Sequence, residues 1–119
     1  MKDMHLSPTE SRFADIIWEA EPIPSGELAK RAEEALGWKR TTSYTVLKRL
    51  CERGIFENLG GSVRSIVSRE DFHAMQSERL VRESFRGSLP AFVAAFTGRK
   101  KLTDKEIDEL QRLIDDMRG

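Results

Sequence analysis

The spacing of apolar residues predicts three helices in the first half of the chain. The first covers residues 8–20, the second opens at Ser25 and ends at Gly37, and the third covers residues 41–53. In each segment the apolar side chains recur at intervals of three and four residues, which places them on one face of a helix. The prolines after the first segment separate it from the second.

Start and stop signals support these helices. Ser7 precedes Pro8 and stands three residues before Glu10, a capping-box pattern in which each side chain satisfies a backbone N–H of the other residue. Gly37 and Gly54 follow the second and third helices, at positions where a left-handed residue ends many helices. The pattern therefore indicates short helices with defined ends.

A hairpin and three further helices are predicted beyond the third helix. Two short apolar runs at residues 55–59 and 62–67 flank a Gly-Gly pair, which is typical of a β-hairpin. Helical spacing returns over residues 68–87 and 88–96, and the capping box Thr103-x-x-Glu106 opens a last helix. The predicted fold class is mainly α with a small antiparallel β-hairpin.

Composition limits what the chain can be. Its 119 residues, 34% of them charged, fit one compact domain or two very small ones. No stretch approaches the roughly 18 uninterrupted apolar residues of a membrane helix, and no apolar segment follows the polar residues 1–5 as a secretory signal requires. Cys51 is the single cysteine, which excludes a disulfide framework. We expect a cytoplasmic protein with no direct membrane insertion.

Charge is unevenly distributed although the chain is formally neutral. Residues 1–37 carry 4 basic and 8 acidic side chains, residues 38–69 carry 7 and 2, and residues 70–119 carry 9 and 10. The positive excess in the middle can attract a polyanion even when the whole molecule is neutral. An ordinary solvated face is the alternative that charge alone leaves open.

Three helices followed by a hairpin within about 60 residues form the outline of a winged helix-turn-helix. In that fold the third helix enters the major groove of DNA and the hairpin contacts the flanking backbone. The outward side of the third helix carries short hydroxyls and cations, which suit phosphates and base edges at close range. The predicted DNA-binding residues are Lys39, Arg40, Thr41, Thr42, Tyr44, Thr45, Lys48, Arg49 and Arg64.

Structural roles are the alternatives for some of these residues and their neighbours. Either Thr41 or Thr42 is expected to cap the third helix. Tyr44 either stacks on a sugar or covers the edge of the core. Trp38 is expected to pack rather than to stack on a base, and Cys51 to act as a small hydrophobic residue.

The second half of the chain presents more apolar side chains than its helices can enclose. A two-fold partner is the simplest cover for this surface, and folding back onto the N-terminal part of the chain is the alternative. We predict a winged helix-turn-helix domain at residues 1–68 and a helical dimerisation domain at residues 69–119. The predicted dimerisation residues are Leu89, Phe92, Val93, Phe96, Ile107, Leu110 and Ile114.

Three motifs extend over nearly the full length of the chain. They are Leu6-Ser7-x-x-Glu10 with Ile16-Ile17-Trp18, then Trp38-x-x-x-Thr42-x-x-Thr45-x-Leu47-x-Arg49-Leu50-x-x-Arg53-Gly54, and finally Leu102-Thr103-x-x-Glu106-Ile107-x-Glu109-Leu110. In this order they resemble the BlaI/MecI penicillinase-repressor family of bacterial transcriptional regulators.

The resemblance implies a winged-helix homodimer that pairs through its C-terminal helices and binds a palindromic operator. It places Thr42, Thr45 and the residues just before them at the operator-reading positions. It also implies a membrane-bound sensor protease, or its downstream effector, as a partner that triggers cleavage in the dimerisation region. The matching bond is Ala95–Phe96, although the family pattern has Asn where this chain has Ala95, and Ile or Val where it has Ser43.

The predicted function is that of a dimeric repressor, released from a palindromic operator by proteolysis or by another signal in its C-terminal region. The sequence has no catalytic triad, phosphate-binding glycine motif or metal-ligand cluster, so we expect no enzymatic activity, cofactor or metal. The alternatives are a protein-interaction module and a ligand-sensing winged-helix regulator. The latter would hold a small molecule between the wing domain and the C-terminal helices.

Overall fold

The computed structural model describes residues 5–119. Residues 1–4, which belong to the polar segment that argues against a secretory signal, lie outside the described residues. Six helices and three strands make up the described part of the chain. In chain order they are α1 (Pro8–Ala20), β1 (Ile23–Pro24), α2 (Ser25–Leu36), α3 (Arg40–Glu52), β2 (Phe56–Leu59), β3 (Ser62–Ser65), α4 (Arg69–Ser84), α5 (Leu89–Arg99) and α6 (Asp104–Met117).

The order of these elements confirms the predicted fold class, which is mainly α with a small antiparallel sheet. The chain divides into two compact units. The first extends to Ser77 and the second begins at Glu78, so the division falls inside α4. The domain boundary between residues 68 and 69 stays a prediction.

Both capping boxes form as the sequence predicts. The Glu10 backbone N–H donates to the Ser7 hydroxyl at 3.2 Å, and the Ser7 backbone N–H donates to the Glu10 carboxylate at 2.9 Å. Thr103 and Glu106 make the same reciprocal pair at the start of α6. Gly37 ends α2 with a φ of 70°, in the left-handed region that glycine adopts without steric cost.

The hairpin forms, and it gains a third strand that the sequence pattern did not indicate. β2 and β3 pair around the turn Gly60–Gly61, whose φ angles of 60° and 89° suit a tight hairpin. β1 pairs with the other edge of β3, with Ile23 opposite Val63, which gives the strand order β1-β3-β2. Because β1 has two residues and contains a proline, it lacks the alternation that predicts a strand.

The apolar core of the first unit joins α1, α2 and α3 to the sheet. Trp38 packs against Phe13 with ring centroids 5.1 Å apart, which confirms its expected packing role. Trp18 donates its indole N–H to the carbonyl of Val67 at 3.0 Å and so closes the core beside α4. The fully buried apolar side chains include Phe13, Ile17, Ile23, Leu28, Leu50, Ile55, Phe56, Val63 and Phe72.

The expected cap of α3 is wrong. The helix begins at Arg40, one residue earlier than predicted, and its N-cap residue is Lys39, whose side chain makes no capping hydrogen bond. Thr41 and Thr42 therefore lie inside the first turn. Thr41 instead provides a carbonyl to the Thr45 hydroxyl, which donates to it at 2.9 Å.

Two predicted helix ends also differ from the structure. α5 continues through Thr97 to Arg99, and the Thr97 hydroxyl donates to the carbonyl of Val93 at 2.8 Å within the helix. α4 ends at Ser84 rather than near Gly87.

Ser43 offers a stability test of the core. It lies on the buried side of α3, and within residues 5–119 its hydroxyl has no hydrogen-bond partner. A buried hydroxyl left without a partner is unfavourable, so we expect Ser43→Ala to raise the free energy of unfolding by about 1 kcal/mol. Denaturant-induced unfolding measures this change. Ser77→Ala, at an exposed position of α4, is the control, and a destabilised Ser43→Ala protein would contradict the assignment.

Candidate nucleic-acid interface

One side of α3 faces solvent and the other enters the core. Ser43, Val46, Leu47 and Leu50 are buried, as the spacing of apolar residues requires. Short hydroxyls and long cations occupy the opposite side, with the exposed Glu52 at the end of the helix. The exposed predicted DNA-binding residues on and just before this helix are Lys39, Arg40, Thr41, Thr42, Thr45, Lys48 and Arg49.

Arg40 and Tyr44 form a pair near the start of α3. Arg40 Nη2 donates to the Tyr44 hydroxyl at 3.3 Å, and the guanidinium carbon lies 5.6 Å from the centre of the tyrosine ring. Hydrogen bonds from the Ser25 side chain and from Arg40 lower the pKa of Tyr44. The half-buried tyrosine thus has its hydroxyl among polar groups rather than in the core.

The sequence pattern predicts Ser25 only as the start of a helix, and the structure gives it contacts with the hairpin and with α3. Its backbone N–H donates to the carbonyl of Gly61 at 2.8 Å, and its side chain contacts the Tyr44 hydroxyl. Arg40 Nη2 lies 3.7 Å from the position that a Cβ atom on Gly26 would take. The first turn of α2 therefore connects α3 to the turn of the hairpin.

The wing, formed by β2, β3 and their turn, carries its basic side chain in an ion pair. Arg64 is exposed, but its Nε lies 2.6 Å from Oε1 of Glu57, which is its register partner on the neighbouring strand. Leu59 is exposed at the end of β2 beside the turn. The wing therefore presents a balanced charge pair and an apolar side chain.

Ion pairs divide the seven basic side chains of residues 38–69 into two groups. Carboxylates of α1 or β2 bind Arg49, Arg53, Arg64 and Arg69. Within the described residues 5–119, the remaining bases have no ion-pair partner, and these are Lys39, Arg40 and Lys48. Unbalanced positive charge is therefore concentrated on α3 and directly before it.

Glu10 is the buried carboxylate behind α3. Its Oε2 lies 3.2 Å from Nη1 of Arg49, and its Oε1 lies 3.6 Å from Nη1 of Arg53. Burial would raise the pKa of Glu10, but the Ser7 backbone N–H, Arg49 and Arg53 together lower it. The sequence indicated only the capping role of Glu10, because its contacts with α3 depend on how the helices pack.

The second unit presents an apolar surface on α5 and α6. Phe92 is half-buried and meets Phe85 edge to face, with centroids 5.5 Å apart. A groove of about 350 Å³ between the two helices is lined mainly by apolar side chains, including Phe92, Leu102 and Leu110. The exposed large apolar residues of this surface are Leu89, Val93, Phe96, Ile107, Leu110, Leu113, Ile114 and Met117. The predicted dimerisation residues all belong to it.

Between His5 and Gly119 no group of three or more His, Cys, Asp or Glu side chains could hold a metal ion. Every helix within residues 5–119 is too short or too polar to span a bilayer. Burial, with Glu57 and Glu52 nearby, raises the pKa of the Cys51 thiol, which disfavours the reactive thiolate.

Comparison with known sequences decides the family. The model of the penicillinase repressor family matches residues 6–116. The chain belongs to this family. Similar proteins include the methicillin resistance regulatory protein MecI of Staphylococcus aureus strain Mu50, 22% identical over 117 residues that cover 95% of each chain. The penicillinase repressor of Bacillus licheniformis is 24% identical over 115 residues, which cover 93% of this chain and 90% of that protein.

A solved structure shares the fold. The solution structure of the DNA binding domain of the repressor BlaI matches with a TM-score of 0.51 and 24% sequence identity, over 60% of this chain and 93% of that one. The likeness concerns the fold, and it confirms the predicted winged helix. The resemblance inferred from the three motifs is thus confirmed at the level of family and fold.

Proposed function

We propose that this member of the penicillinase repressor family binds double-stranded operator DNA through α3 and thereby represses transcription in the cytoplasm. The observation that carries the proposal is the unbalanced positive charge of Lys39, Arg40 and Lys48, on and before an exposed helix face. Phosphates attract such a surface, and the short threonine side chains beside it allow the helix to approach base edges.

The proposed contacts divide into two kinds. Thr42 and Thr45 are proposed to contact base edges, because short side chains on the exposed face let the helix enter the groove. Lys39, Arg40 and Lys48, which have no ion-pair partner within residues 5–119, are proposed to bind phosphates together with the first backbone N–H groups of α3, which no side chain caps. Tyr44 is proposed to lie at the edge of this contact, and Arg64 to contribute less because Glu57 balances its charge.

We further propose that the apolar surface on α5 and α6 is the interface of a homodimer. Eight large apolar side chains of this surface are 40–86% exposed in the single chain. Complete burial of a fully exposed large apolar side chain contributes about 1.5–3 kcal/mol, so covering the exposed parts of all eight would stabilise a dimer. A two-fold dimer would present two α3 helices to half-sites one helical turn apart, or a multiple of it, which matches a palindromic operator.

Derepression is proposed to occur by cleavage within the dimerisation region. The bond Ala95–Phe96 lies inside α5 and both residues are exposed, but a protease binds its substrate in an extended form. The last turns of α5 would therefore have to unwind before cleavage. Gly98 lowers the cost of unwinding by about 1 kcal/mol relative to alanine. A membrane-bound sensor protease or its effector is the proposed partner for this step.

A ligand-sensing regulator is the second candidate. The groove of about 350 Å³ within the second unit favours it, because a cavity of this size and apolar lining suits a small molecule. The pocket expected between the wing domain and the C-terminal helices stays a prediction. Native mass spectrometry of the purified protein tests whether a small molecule is bound.

Thr45→Ala tests the proposed contact with base edges. Alanine favours a helix more than threonine does, so α3 should persist, and we expect operator affinity to fall by about 1–3 kcal/mol. Fluorescence anisotropy on an operator located by footprinting upstream of the gene measures the change. Ser77→Ala removes an exposed helical hydroxyl that donates to the carbonyl of Ala74 at 2.9 Å, and should leave affinity unchanged. An unaltered isotherm for Thr45→Ala would contradict the contact.

A further inference from the structure

The contact between Glu10 and Arg49 joins the start of α1 to the exposed side of α3 across 39 positions of sequence. The Glu10 side chain is 11% exposed, whereas that of Arg49 is 49% exposed. One end of the pair is therefore enclosed by the protein. The other end stands in solvent, on the face that the proposed function assigns to DNA.

Glu10 itself is held by neighbours on both sides. Its Oε1 accepts from the Ser7 backbone N–H at 2.9 Å and lies 3.6 Å from Arg53. Arg53 is fixed in turn, because its Nη1 donates to the carbonyl of His5 at 2.8 Å. The carboxylate that binds Arg49 is thus enclosed and held by further contacts rather than free at the surface.

Holding an arginine in advance changes how it binds a phosphate. A guanidinium has five N–H donors in a planar fork, and the contact with Glu10 uses Nη1. A free arginine loses side-chain entropy when a ligand fixes it, and prior ordering reduces that loss. Because Glu10 balances the charge of Arg49, the contribution of this pair would come from directed hydrogen bonds rather than from net charge.

We propose that Glu10 is a positioning residue for DNA binding, which fixes the Arg49 guanidinium so that its remaining N–H groups meet a phosphate beside the half-site. The proposal rests on the proposed function of α3. Removal of the Glu10 charge makes the protein more positive, so a simple charge effect would strengthen operator binding. The positioning role predicts the opposite, that operator binding weakens.

A double-mutant cycle of Glu10→Gln and Arg49→Gln tests the coupling. Glutamine at position 10 keeps an oxygen for the Ser7 N–H and so preserves the capping box, while the charge that binds Arg49 is lost. We expect Glu10→Gln to weaken operator binding about tenfold, and to have no further effect in the Arg49→Gln background. Thermal unfolding of each variant shows whether it is folded at the assay temperature.

Arg49→Lys tests the proposal with Glu10 and its capping box intact. Lysine keeps the charge but has no planar fork, so we expect a similar loss of affinity with an unchanged dependence on salt. The matched control is Glu27→Gln, which breaks an exposed pair with Arg31 at 2.8 Å on α2 and should not change affinity.

Three results would overturn the positioning role. They are unchanged or tighter binding by Glu10→Gln, additive losses in the double variant, and unaltered binding by Arg49→Lys. Failure of the unmodified chain to bind its operator is a separate result, since it would refute the proposed function as well.

Discussion

Leu110→Asp is expected to abolish the proposed dimerisation and to weaken the proposed operator binding at least about 100-fold. Leu110 is 40% exposed on α6 and lies on the apolar face that it forms with Ile107, Leu113 and Ile114. A dimer would have to bury the new carboxylate without a partner, which costs several kcal/mol. The resulting monomer binds one half-site and loses the avidity of two linked contacts, a factor of about 10²–10⁴.

Sedimentation velocity and anisotropy titrations separate the two effects of Leu110→Asp. Arg112→Gln on the same helix is the control. It also lowers the net charge by one unit, but Arg112 does not line the groove. We expect it to remain a dimer with nearly the original affinity. A dimeric Leu110→Asp protein would place the interface elsewhere. A monomer with undiminished affinity would show that DNA binding does not need the dimer.

The helices were predictable because their signals are local. The capping boxes at Ser7 and Thr103, and the glycine after α2, determine where helices begin and end through contacts three or four residues apart. β1 could not be predicted in the same way. Ile23 becomes part of a strand only because the hairpin provides an edge for it. Its register partner, Val63, lies 40 positions later in the chain.

The exposed face of α3 was predictable from the helical period, but the state of its charges was not. Lys48 and Arg49 are adjacent in sequence and both are exposed. The structure separates them, because the approach of α1 brings Glu10 to Arg49, while Lys48 has no acidic partner within residues 5–119. Arg64 and Glu57 likewise become partners through strand register. Such pairs depend on tertiary packing, which a charge count by segment does not contain.

The difference between bases with and without an ion-pair partner predicts how strongly operator affinity depends on salt concentration. Three bases without an ion-pair partner, from each protomer of the proposed dimer, would neutralise about six phosphates, so the slope of log K against log salt should be about −5. Operator affinity should then fall about a thousandfold between roughly 50 and 200 mM salt. If all seven bases of residues 38–69 released counterions, the slope would be more than twice as steep, about −13.

Lys48→Gln and Arg64→Gln decide between these two expectations, because each removes one positive charge from an exposed side chain. Lys48→Gln should make the slope less negative by about 2, since a dimer would lose two phosphate contacts. Arg64→Gln should change it by less than half as much, because the charge removed is already balanced by Glu57 at 2.6 Å. Equal changes would mean that DNA displaces the carboxylate from Arg64. A flat salt response of the unmodified chain would contradict phosphate binding by α3.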